Sequence, residues 1–212
     1  MSKNKLPIFV YFILLISFCL NLFLYLKLRE VKLFLVTHVS DGDTVVLNDN
    51  QVIRLANINA PEYNACGGVE SKAFLEKLIL GKRVSLKSLG YDEYNRSLGF
   101  IYLEGQSLNH LLISSGWADY DSNFKEDRDL MSNAAITAKQ NRVGIYSLCR
   151  TQSPPSPNCT IKANNHNGNK IYFLKNCTNY SNTSVDKDKG DQWFCNEAEA
   201  LKYGYKKSGD CR

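Results

Sequence analysis

Residues Leu6 to Leu26 are almost continuously apolar, interrupted only by Pro7, Ser17, Cys19 and Asn21. A run of 21 residues is long enough for a helix to span a bilayer. Three fates are open to it: an uncleaved anchor, a cleaved export signal or a buried core helix. The anchor is the expectation. No A-x-A-like site closes the segment, and the bulky Phe18 makes Ser17-Phe18-Cys19 a poor lipobox. Lys3 and Lys5 before it are nearly balanced by Lys27 and Arg29 after it, so flanking charge orients it weakly. The hydrophobic fraction of 44% is inflated by this segment, and the globular fold is built from the residues C-terminal to it. The expected organisation is residues 1–30 as signal-anchor, 31–150 as a β-rich domain, 151–158 as a linker and 159–212 as a small cysteine-containing domain.

Of seven cysteines, Cys19 lies inside the apolar run, and Cys66, Cys149, Cys159, Cys177, Cys195 and Cys211 come after it. An even number beyond an export segment fits disulfides in an oxidising compartment. Cys66 with Cys149, and pairing among the last four, is the domain-wise expectation. Zinc is the alternative for those four, although no C-x-x-C spacing supports it. The bulk of the chain is therefore expected outside the cytoplasm, anchored to the membrane, or secreted if the signal is cleaved.

The formal net charge is +5, but residues 31–150 carry 13 Lys and Arg against 14 Asp and Glu. Residues 151–212 carry nine against six. No global basic field covers the middle domain, so any phosphate binding there is local. Short strands are expected at 31–36, 44–47, 51–55, 83–88 and 98–103, with helices at 69–80, 107–114 and 127–141. Val69, Ala73, Phe74 and Leu78 are expected on the apolar face of the first of these helices, and Leu130, Ala134 and Ala138 on that of the last. Five short strands interspersed with helices predict a mainly β, α+β fold: a five-stranded OB-type barrel capped by helices. Residues 159–212 can bury little core, and disulfides compensate. A strand at 171–174 and a helix at 197–203 are expected there.

The chemistry concentrates in Asp41-Gly42-Asp43-Thr44, Arg54, Ala60-Pro61-Glu62 and a polar loop, Gly90 to Arg96. Phosphodiester hydrolysis requires water to approach a negative phosphate. A hard cation held by oxygen ligands lowers that cost. Asp43 is the first ligand candidate, with Asp41 as the turn member. Arg54 alternates with Val52 and Ala56 on a strand, and its planar fork suits phosphate oxygens; a structural salt bridge is the bland alternative. Glu62, beside the rigid Pro61, is a candidate general base. Arg96 is a second phosphate clamp, and Tyr91 and Tyr94 are candidates for stacking on bases.

With these residues in place, the stretch 31–149 resembles the staphylococcal nuclease family. Asp41-Gly42-Asp43-Thr44 matches its first motif. Arg54-Leu55-Ala56-Asn57-Ile58-Asn59-Ala60-Pro61-Glu62 resembles the second, and Asp92-Glu93-Tyr94-Asn95-Arg96 the third. The resemblance implies an OB barrel and calcium-dependent cleavage of DNA and RNA, with another divalent metal as the alternative. It implies Asp43 as a calcium ligand, the Ala60 backbone carbonyl as another, Arg54 and Arg96 on phosphate, Glu62 as the catalytic carboxylate and Tyr94 beside the nucleotide. Three positions depart from the pattern. Asn59 replaces the second metal-binding aspartate and supplies an uncharged oxygen. Glu93 replaces a basic residue. Asn95 replaces a glycine, which an Asn can do in a left-handed turn. The segment from Lys170-Ile171-Tyr172 to Glu199-Ala200 resembles a tail found after this domain in some bacterial proteins.

The leading expectation is a monomeric, anchored nuclease acting on DNA or RNA without an organic cofactor. The alternatives are a catalytically weak nucleic-acid- or protein-binding module on the same fold, and a structural envelope protein.

Overall fold

A computed structural model describes residues 6–28, 31–150, 152–166 and 168–211. Lys3, Lys5 and Arg29, and Thr151 at the start of the expected linker, lie outside the described residues. The chain forms two compact units, one ending at Leu33 and one spanning Phe34–Arg212. The first holds α1 (Leu6–Leu28), 23 residues along its backbone. Its side chains are described over residues 9–24, and all are exposed. Among the described residues no helix is long and apolar enough to cross a membrane.

From the boundary at Leu33 the chain runs β1 (Leu33–Val39), β2 (Thr44–Leu47), β3 (Val52–Leu55), β4 (Ile58–Asn59), α2 (Gly68–Ile79), β5 (Arg83–Tyr91) and β6 (Ser97–Leu103). Next come β7 (Gln106–Ser107), α3 (Leu108–Ser114), β8 (Asp119–Tyr120), α4 (Arg128–Gln140) and α5 (Ile145–Leu148). The sheet order is β3-β2-β1-β5-β6-β7, and a parallel β3–β6 pairing closes its first five strands. Five strands thus close into a barrel, which removes their free edges. Alternation fills it from β2 and β3, while a bulge in β1 and adjacent buried residues in β6 supply the rest. Val45 and Leu47 on β2, Ile53 and Leu55 on β3, and Val36 and Val39 on β1 are buried, with Phe100 and Ile101 of β6. Leu75 and Ile79 of α2, Leu112 and Ile113 of α3, and Met131 of α4 belong to the same core.

The helix faces match the expectation in part: Phe74, Leu78 and Ala134 pack against the core and Ala138 is buried, while Ala73 is exposed. Val69 and Leu130 are exposed, while Ser71, Leu75 and Ile79 form the buried face of α2 and Met131 anchors α4. Close packing rather than apolarity selects Ser71. Its hydroxyl donates to the Trp117 carbonyl at 2.8 Å, and a Cβ on Gly42 would lie 2.0 Å from its Oγ. Strand β5 extends to Tyr91, so Gly90 and Tyr91 are strand rather than loop. Asn95 has φ 59°, the left-handed turn expected of it.

Beyond residues 152–158, which hold no regular element, come β9 (Ile161–His166), β10 (Asn169–Phe173), a 3-10 turn (Lys187–Lys189), β11 (Gln192–Phe194), α6 (Glu197–Lys202) and β12 (Lys206–Lys207). Four strands in the order β11-β9-β10-β12 form a second sheet. A small core of Ile161, Ala163, Tyr172, Phe194, Ala200 and Tyr205 packs on it. Cys66–Cys149, Cys159–Cys195 and Cys177–Cys211 are disulfides. That is the domain-wise pairing, and it removes the four late thiols from any zinc site.

Candidate active site

The strand register brings Asp43, Arg54 and Asn59 together, and Glu62 stands apart from the two arginines, beside a separate cavity. Thr44 faces Arg54 across β2–β3, and Arg54 faces Leu98 across β3–β6. The buried side chains of β3 are Ile53 and Leu55, so Arg54 stands on the outer face with the partly exposed Val52. The Asp43 carboxylate is buried. Its Oδ2 accepts from the Ala60 backbone N–H at 2.8 Å and pairs with Arg54 Nη1 at 2.8 Å. Its Oδ1 accepts from the Thr44 hydroxyl at 3.0 Å. Arg54 Nη2 donates to Asn59 Oδ1 at 3.0 Å. The guanidinium therefore bridges the two side chains expected to face a metal. Burial raises the Asp43 pKa to about 6, and Arg54 and the Ala60 N–H oppose that rise. Asp41 Oδ1 accepts from the Asp43 N–H at 3.0 Å, the turn role expected of it.

Two buried asparagines hold the β3–β4 corner that delivers Asn59, and sequence reasoning gave them no role. Asn57, at φ 59°, donates to the Phe124 and Glu126 carbonyls, each at 3.1 Å, and accepts from the Phe124 N–H at 2.8 Å. Asn109, fully buried on α3, donates to the Ala56 carbonyl at 2.8 Å and accepts from the Ile101 N–H at 3.1 Å. Each replaces backbone partners lost at an irregular corner, where unpaired groups are costly. The signal was an Asn among apolar residues. Glu62 is exposed on the loop after β4. That loop is tied by the nearby Cys66–Cys149 bridge and by contact with α2: a Cβ on Gly68 would sit 2.0 Å from the Glu62 carbonyl.

Arg54, Arg96 and Tyr94 line one cavity of about 290 Å³. Asn59, Ala60 and Glu62 line another of about 630 Å³. Tyr91, Tyr94 and Arg96 line a third of about 270 Å³. Arg96 Nε donates to Asp92 Oδ2 at 2.7 Å, and its guanidinium lies 5.3 Å from the Tyr94 ring centroid. Burial pushes the Asp92 pKa up, but the hydrogen bonds and charge of Arg96 leave it lowered. Tyr91 and Tyr94 are exposed, on the surface side of these hollows.

The donors around Asp43 fit a hard cation in kind: a carboxylate oxygen, an amide oxygen from Asn59 and the nearby Ala60 backbone, with no sulfur or imidazole. The fit is weak in charge, since Asn59 is neutral and Arg54 is already paired with Asp43. Among the described residues, the one compact group of potential metal-binding side chains is Cys177, Asp210 and Cys211. Its two sulfurs are joined in a disulfide.

A further group gave no sign of itself in the sequence. Asp119 faces Asn59 across β4–β8. Arg150 donates to Asp119 Oδ1 at 3.1 Å and to Asp188 Oδ1 at 3.0 Å, and Tyr146 OH donates to Asp119 Oδ1 at 2.9 Å. Burial works against the Arg150 charge, but the two aspartates raise its pKa above the usual range. Burial likewise raises the Asp119 pKa, yet the Arg150 contacts leave it lowered.

Residues 52–148 match the family model for staphylococcal nuclease homologues. The chain is 31% identical over 123 residues to an uncharacterized endonuclease of Haemophilus influenzae, covering 56% of this chain and 68% of that protein. It is 31% identical over 116 residues to an uncharacterized endonuclease of Escherichia coli O157:H7, covering 53% and 75%. It is 30% identical over 133 residues to a micrococcal nuclease of Shigella flexneri, covering 56% and 76%.

Proposed function

Because this chain belongs to the staphylococcal nuclease family, we propose that it is a nuclease that hydrolyses phosphodiester bonds of DNA or RNA at the Arg54–Asp43–Asn59 cluster. The observation that carries the reading is convergence. Arg54 contacts Asp43 and Asn59, and it shares one cavity with Arg96 and Tyr94. Arg54 and Arg96 hold the phosphate by charge-assisted hydrogen bonds and stabilise its growing charge. Glu62 orients the attacking water and takes its proton. Tyr94 and Tyr91 stack on the flanking bases. Asp43, Asn59 and the Ala60 carbonyl would hold a calcium ion, or another divalent cation, which supplies Lewis-acid charge at the phosphoryl oxygen. Arg54 turns from the carboxylate to the phosphate as substrate enters.

The same proposal covers placement. Residues 31–150 act as the nuclease domain and 159–212 as an appended domain, with α1 as a membrane anchor. Three disulfides support an oxidising, extracytoplasmic setting, and the anchor and the monomer are read from the apolar run Leu6 to Leu26 and the family resemblance alone. The test is digestion of DNA and RNA by the full chain in detergent, with calcium, with other divalent cations and with chelator. Metal-dependent release of fragments is expected. Binding without cleavage under every condition overturns the enzyme reading and leaves the binding module.

A further inference from the structure

The cavity beside Glu62 has two unlike walls. Asn59, Ala60 and Glu62, with Asp119, form one; His166, Lys189 and Gly190 of the C-terminal segment form the other, together with Asp188, whose charge is paired with Arg150. Its volume of about 630 Å³ is that of a ligand site rather than a packing defect. The second wall is fixed. Arg150 joins Asp119 of β8 to Asp188 of the 3-10 turn, and the Lys187 N–H donates to the Cys149 carbonyl at 3.2 Å. Asp191 Oδ1 accepts from the Asn165 N–H at 2.8 Å and so holds the end of β9 that presents His166.

Charge gives the wall a purpose. The barrel wall carries Glu62 and Asp119, which repel a polyanion, and residues 31–150 have no excess of positive charge. Arg150 is committed to the aspartates. Lys189 is held loosely, 3.6 Å from Asp119 and 3.9 Å from Asp186, with its side chain 54% exposed. Such exposed pairs are weak and give way to a better anion. His166 is exposed beside the same cavity. We infer that the C-terminal segment completes the nucleic-acid cleft: a single strand continues from Glu62 across this cavity, and Lys189 and His166 contact its phosphates. The inference rests on the nuclease reading and adds a binding subsite outside the barrel.

The test measures binding of an uncleavable phosphorothioate oligonucleotide, long or dinucleotide, to the full chain in detergent across a salt series, with cleavage measured alongside. Lys189→Gln and His166→Ala are expected to weaken binding of the long strand several-fold. Lys189→Gln is expected to flatten its log–log salt dependence by about 0.7 for the lost charge. The dinucleotide loses nothing, because it occupies the barrel side alone. Lys189→Arg restores binding, and Lys202→Gln, on α6, has no effect. Unchanged long-strand binding in both variants, with intact cleavage, overturns the inference and leaves the nuclease reading standing. Lys189→Arg behaving as Lys189→Gln would also overturn it, since Lys189 would then act through its packing. A parent protein that neither binds nor cleaves either substrate removes both readings. Weakened binding of inorganic phosphate with no change for the strand assigns Lys189 to a free anion and counts against the inference.

Discussion

The barrel and the C-terminal segment solve the same problem by different means. The barrel buries aliphatic and aromatic side chains from five closed strands and three helices around one centre. The apolar cluster on the C-terminal sheet holds six buried residues among the described residues, and two disulfides link positions 36 and 34 residues apart in its chain. A short chain exposes too large a share of its surface for apolar burial alone to offset lost conformational entropy. Cross-links that restrict the unfolded chain make up the difference, by about 3–5 kcal/mol for loops of this order. The barrel can thus carry polar, strained groups at its rim, while the segment depends on covalent links and on its attachment through Arg150.

Reduction should break that contrast most sharply. With all three disulfides opened, hydrogen exchange is expected to become fast across β9 to β12 while β1 to β6 stay protected. Equal loss of protection in both sheets would show that they fold as one. Arg150→Ala comes next. It strands the buried carboxylate of Asp188 and weakens the hold on the part-buried Asp119, a loss of at most about 3–5 kcal/mol. The melt is expected to split into two transitions, with the C-terminal one lowered more.

At the rim, Arg54→Ala or Arg96→Ala is expected to cut cleavage about 100- to 1,000-fold while leaving the C-terminal sheet and its disulfides unaltered. Turnover at the parental rate in both variants would remove them from the site. Acid should act on the junction between the two regions. The Asp119 pKa lies below its unfolded value near 4, so its stabilising contribution is present above that pH and is lost as pH falls toward the folded value. Melting curves of parent and Arg150→Ala should therefore converge at low pH, whereas parallel curves would discount the pair. The smallest effect is expected from Asn59→Asp, which adds one charged oxygen beside Asp43. Half-maximal cleavage should need several-fold less metal, although Arg54 competes for the new carboxylate. Superimposable titrations would take Asn59 out of the site.

The strands of the barrel were legible because one face of each is buried, and period-two alternation records that directly: Val45 and Leu47, Ile53 and Leu55. The left-handed turn at Asn95 was expected from the resemblance, in which Asn95 stands where the family has a glycine. The helix faces were less so. Leu130 looks like core but is exposed, and Ser71 looks like surface but is buried, because close approach of Gly42 and the Trp117 carbonyl set the packing.

By itself the sequence determined the closed-barrel class, the motif residues on its rim and the division of cysteines into an early pair and a late four. These come from local periodicity, short spacings and counting. Tertiary structure alone decided the rest. Arg54 meets Asn59, Asn57 and Asn109 satisfy the corner between them, and Asp119 and Asp188 converge on Arg150. Those contacts join residues up to 69 positions apart in the chain. No local propensity encodes them: they form once burial leaves polar groups whose desolvation can be offset only by partners the fold brings near.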